Sequence, residues 1–153
     1  MAWAALIMIG ALLAQFVLGM ATNLFVTIPA RHPGARPGNY FTGSGQSVGW
    51  AISSGPLALA AHATLGILLV ITGFVLIYLA ASSGRRGVVI ASVLGALLIL
   101  GAAFNGASFL DFNHDSSSMI MAGLFAAALA CYVVVLFQLN DAPAPAGTRR
   151  PRD

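Results

Sequence analysis

Residues 57–81 read LALAAHATLGILLVITGFVLIYLAA, and residues 82–87 read SSGRRG. The first run carries no charge. At 1.5 Å of rise per residue it is long enough, as a helix, to cross the ~30 Å hydrocarbon layer of a bilayer. Ser82-Ser83-Gly84 then stops it and Arg85-Arg86 anchors the turn. Working outward, the same pattern recurs at about 3–28, 87–110 and 116–139. Pro29 ends the first of these, and Asn140-Asp141-Ala142-Pro143 ends the last. The expected fold is therefore all-α, an integral membrane four-helix bundle occupying residues 1–141, followed by a disordered cytoplasmic tail at 142–153.

Composition supports the membrane assignment. The chain is 59% hydrophobic and 7% charged, with a mean hydropathy of +0.91. A water-soluble domain carries about a quarter charged residues. Lys and Glu are both absent, a skew that fits a GC-rich bacterial genome. The pI near 9.8 does not mark a nucleic-acid partner. The 7 cations are all Arg, spread over loops and tail rather than gathered on one face. Arg85, Arg86, Arg149, Arg150 and Arg152 share one side of the expected bundle, against Arg31 and Arg36 on the other. The positive-inside rule then places both termini in the cytoplasm of a plasma membrane. The first span is too long, and lacks the preceding cation, to read as a signal peptide. Lone Cys131 rules out an intrachain disulfide or a CxxC redox pair.

Between the first two spans, residues 31–55 are rich in Gly, Pro and Ser, which argues against an independent domain. Ser53 and Ser54 are candidate caps for the second span, and 48–52 are expected to lie along the membrane surface. Tyr40, Phe41 and Trp50 suit the headgroup layer.

Polar residues fall mostly toward the outer end of the spans: Thr22, Asn23, Thr27, His62, Thr64, Asn105 and Ser108, with Asp111, Asn113, His114 and Asp115 at the rim. Unpaired polar groups are costly in hydrocarbon, so this set is expected to converge on an outward-facing polar pocket lined by the His62 and Asn105 helices. Interhelical hydrogen bonding alone is the simpler account of any single member. Small residues mark contact faces: Ala91, Gly95, Ala102 and Gly106 form a stripe, and Gly66 and Gly73 share the face of His62.

Several chemistries are excluded. No Lys is present to form a retinal Schiff base, and no acid lies at membrane depth for proton-coupled export. No activated-serine motif accompanies Ser108. No catalytic residues emerge. The remaining specific candidates are His62 and His114 as axial ligands of b-type haem serving electron transfer, with Gly66 leaving room for a flat macrocycle and Asn105 nearby. An outward-facing copper or zinc site is an alternative, drawing on His32, His62, His114, Asp111 and Asp115 with Met20, Met119 and Met121. So is a non-catalytic accessory role in a larger membrane complex or homo-oligomer.

The segment His62-Ala63-Thr64-Leu65-Gly66-Ile67-Leu68-Leu69 resembles the His-then-Gly helix openings of four-helix haem-binding membrane proteins, notably one half of a haem A synthase. In that family the second and fourth helices of each half carry paired histidines near the outer surface, and the resemblance implies that role for His62 and His114. It covers two helix starts and the helix count. The chain has one half rather than two, and Ala61 and Ala63 flank His62 where the family has an acidic catalytic residue. The resemblance implies haem holding and not synthase activity.

Overall fold

The computed structural model describes residues 1–141, so the tail expectation for 142–153 lies outside the described residues. Five helices follow in order: α1 (Ala2–Phe25), α2 (Tyr40–Ser54), α3 (Leu57–Ala81), α4 (Arg86–Phe112) and α5 (Asp115–Asn140). Of these, α1, α3, α4 and α5 are long and apolar enough to cross a membrane. The protein is an all-helical, multi-pass membrane bundle.

Local chemistry explains where the spans end. Helix α1 stops at Phe25, three residues short of the expected Ile28, and Val26 is already extended (φ −110°, ψ 120°). Val26, Thr27 and Ile28 are β-branched and poor helix formers, and Pro29 disfavours the helical region at the residue before it. Helix α4 runs to Phe112 rather than Leu110 and closes on Asn113 in the left-handed region (φ 54°, ψ 41°), where Asn is among the few residues tolerated. Helix α5 starts at Asp115, an acid in the first turn facing the positive end of the helix dipole.

The 31–55 segment holds the largest departure from expectation, a 15-residue helix where only 48–52 were assigned to the surface. Asn39 caps α2 by accepting from the Thr42 N–H at 3.1 Å. Its buried face is Gly43, Ser47 and Ala51, small residues four apart that let the helix lie close. Ser53 and Ser54 end this helix and do not cap α3. Ser53 Oγ donates back to Gly49 O, and Pro56 precedes α3 without a side-chain cap.

Packing joins the spans in a ring, α1 to α3, α3 to α4, α4 to α5 and α5 back to α1, while α2 lies on α3 and α4. Successive spans alternate in direction, so every neighbour in the ring is antiparallel. At the end away from α2 the core is solid: Met8, Leu12, Leu76, Val88, Tyr132 and Val135 are fully buried. Gly95 and Gly73 receive Tyr132, since a Cβ on Gly95 would lie 2.9 Å from its ring and one on Gly73 3.5 Å from its hydroxyl. At the α2 end a second cluster joins Ala51 to Leu59 and Leu110, with Val26, Ile28, Val48 and Trp50 packed against it. Residues such as Ile7, Val17, Phe74 and Leu97 point outward, as lipid-facing side chains must.

Candidate functional site

Between the solid end and the α2 roof lies a cavity of about 230 Å³. All four spans contribute to its wall: Phe16 and Met20 from α1, Ile67 and Leu69 from α3, Ala102 and Gly106 from α4, and Met121 and Phe125 from α5. Val48 of α2 and Ile28 reach it from the roof. Small residues account for part of the space: Ala102 and Ala107 put only methyl groups toward it, while Met121 Sδ sits against Gly106, 3.2 Å from where a Cβ would be. Met20 and Asn23 on α1, and Ala122 on α5, line the cavity and are also exposed. Ile67 on α3 and Ala103 on α4 also line it and are exposed, so the cavity borders the lipid-facing sides of the bundle. Within its wall Phe16 of α1 stacks on Phe125 of α5 with ring centroids 5.7 Å apart.

Contrary to the sequence expectation, the cavity is apolar rather than polar. Several of the outer polar residues are satisfied elsewhere. Thr22 Oγ1 donates to Leu18 O, Thr64 Oγ1 to Ala60 O and Asn105 Nδ2 to Gly101 O, each within its own helix. Ser108 and Asp111 turn to the roof instead. Tyr40 hydroxyl lies 2.8 Å from Ser108 Oγ and donates to Phe104 O at 3.0 Å. Ser44 Oγ donates to Asp111 Oδ2 at 2.6 Å. Local bonds need no partner helix, so such residues do not have to converge.

One polar pair does stand at the cavity wall. Gln15 Nε2 donates to His62 O at 3.1 Å and lies 3.4 Å from His62 Nε2. The two side chains cross between α1 and α3, each resting against a glycine of the other helix. A Cβ on Gly19 would come within 2.9 Å of the His62 ring, and one on Gly66 within 3.2 Å of Gln15 Nε2. The space that Gly66 leaves is filled by Gln15, not held open for a macrocycle. Gln15 Oε1 and His62 Nδ1 are buried without a hydrogen-bond partner among the described residues.

The remaining sequence-predicted residues are distributed differently. His62 and Gly66 line the cavity; His114 and Asn105 do not. His114 is exposed at the α4–α5 turn, with its ring stacked on Phe112 at 6.3 Å. His62 has its Nε2 3.4 Å from Gln15 Nε2 and its ring edge against Gly19. Among the described residues, no three His, Cys, Asp or Glu side chains group as metal ligands. Met20 and Met121 line the cavity while Met119 is 79% exposed.

Sequence reasoning missed the turn between α1 and α2. His32 stacks on Trp50 with centroids 4.5 Å apart and planes 15° from parallel. Its Nδ1 lies 2.9 Å from Pro33 O and its Nε2 3.1 Å from Leu110 O. Carbonyls only accept, so both contacts are hydrogen bonds at once only in the doubly protonated ring. Arg36 N–H donates to Asp111 O at 2.9 Å, tying the same turn to the end of α4. Arg-His-Pro-Gly next to a span was the available signal, but its long-range partners at 110 and 111 have no local trace. Compared with protein families, with curated proteins and with solved structures, the chain matches none.

Proposed function

We propose that this protein binds a lipophilic small molecule, taken laterally from the membrane into the cavity beneath α2. One observation carries the reading: the ring of spans is solid at one end and hollow at the other, and the hollow part is lined by residues exposed on the lipid-facing sides of the spans. An apolar chain fits an apolar wall, where each buried CH₂ gains about 0.8 kcal/mol against water. The unpartnered Gln15 Oε1 and His62 Nδ1 stand beside it and favour a ligand that also carries a hydrogen-bonding group, since buried polar atoms without partners are costly. By the positive-inside rule the site faces outward, with Arg85 and Arg86 on the cytoplasmic side. Binding, rather than catalysis, is the role these residues support.

The test is native mass spectrometry of the detergent-solubilised full chain beside Ala102→Phe and Gly106→Leu, which fill the cavity from α4. Wild type is expected to retain a bound lipophile at one per chain, and both variants to lose it while keeping their elution volume. Equal retention by the folded variants would refute the reading. Haem is the competing occupant, and an absorption spectrum separates the two. A Soret band that shifts on dithionite reduction and disappears in His62→Ala would replace the lipophile with b-type haem held by His62. If no small molecule is retained, and a larger membrane protein co-purifies at fixed stoichiometry, the accessory-subunit reading replaces ligand binding.

A further inference from the structure

Above the roof, Arg31, His32 and Arg36 line a shallow open recess on the turn between α1 and α2. Both arginines are exposed, as is Asp115 at the start of α5, while the nearer-tied acid, Asp111, is engaged elsewhere. Asp111 is 2% exposed, beneath α2, with its carboxylate bonded to Ser44. The turn itself is held at several points. Ala35 N–H donates to His32 O, Arg36 N–H to Asp111 O, and the His32 ring is stacked on Trp50 between two carbonyls. A backbone fixed in this way leaves only the two arginine side chains to order on binding.

The backbone adds an independent observation. Arg36 has φ +51°, in the left-handed region that side chains rarely adopt. The chain uses glycine readily for such geometry, as at Gly34 two residues earlier with φ +89°. An arginine at 36 thus accepts backbone strain in order to place a guanidinium at the recess. Strain retained at one residue and held by its surroundings is characteristic of binding sites.

We propose that Arg31 and Arg36 bind the phosphate of an anionic phospholipid from the leaflet on the α2 side, through charge-assisted, fork-like guanidinium contacts. The assignment deepens the cavity reading and rests on it: the headgroup held at the recess belongs to the molecule whose chain occupies the space below. Ile28 and Leu110 lie between the two places, in the apolar cluster under α2. Both line the cavity, Leu110 O receives His32 from above, and Ile28 lies three residues before Arg31.

The experiment titrates the full chain, in mild detergent, with phosphatidylglycerol, with diacylglycerol of the same chains, and with inorganic phosphate. Wild type is expected to bind phosphatidylglycerol about tenfold or more tighter than diacylglycerol, the scale of charge-assisted hydrogen bonds. Arg31→Gln with Arg36→Gln is expected to abolish that preference and leave diacylglycerol binding unchanged. If the double variant keeps the preference, the phosphate site is overturned and the cavity reading stands. If Ala102→Phe binds diacylglycerol like wild type, the cavity reading fails while the anion site survives. Inorganic phosphate binding as tightly as phosphatidylglycerol would overturn the lipid assignment in favour of a free anion.

Discussion

At the residue scale the most constrained contact is the crossing of Gln15 and His62 against Gly66 and Gly19. A methyl group at 19 meets the edge of an imidazole already wedged between helices, so Gly19→Ala should destabilise the fold by about 1–3 kcal/mol, the usual range for overpacking. His62→Ala removes the obstacle. The double variant should therefore recover most of the loss, a non-additivity that thermal unfolding in detergent would measure. Gly10 provides the control: nothing lies within 4 Å of its added Cβ, so Gly10→Ala should be neutral or slightly stabilising. The sequence placed Gly66 correctly on the face of His62 but did not show what fills the gap. Helical spacing identifies which residues share a face, not which partner side chain lies against it. Gln15 is 47 residues from His62, and no local pattern connects them.

At the element scale, α2 is fastened to α4 by polar contacts, Tyr40 to Phe104 and Ser108 and Ser44 to Asp111, over a small buried face. Ser44→Ala leaves a buried carboxylate with neither oxygen bonded, because Asp111 Oδ1 already has no partner. Such a loss is worth roughly 1.5–3 kcal/mol. Amides of α2 should then exchange with solvent about tenfold faster or more, with α5 unchanged and Ser44→Thr restoring protection. Tyr40→Phe should act in the same direction more weakly, about 1 kcal/mol. The four spans were legible because continuous hydrophobicity is a local property, and α3 matches its expected limits at both ends. Helix α2 was not, because its stability depends on a surface other helices provide. Its glycines and serines, read as loop residues, are what lets it approach that surface.

At the scale of the whole molecule, the alternating spans put the 82–85 turn and the start of α1 on one face and α2 on the other. Single cysteines at exposed Ser54 and Ser82, in a Cys131→Ala background, test which face is outside. An impermeant maleimide on intact cells should label Ser54→Cys alone, and labelling of Ser82→Cys alone would reverse the orientation. The positive-inside bias was readable from the chain, whereas the hollow at one end was not. It arises from how Ala102, Gly106 and Met121 meet, a matter of volumes that hydropathy does not encode. That uneven filling gives the cylinder two mechanical characters. Voids are what compression removes, so squeezing should draw the walls together around Met20 and Met121 while the neighbourhood of Met8 barely moves. Under hydrostatic load, methyl resonances of the first two should drift along curved paths, and that of the third should stay nearly straight. The bilayer exerts its own sideways squeeze on every embedded object, and this bundle is built to yield to it in one leaflet only.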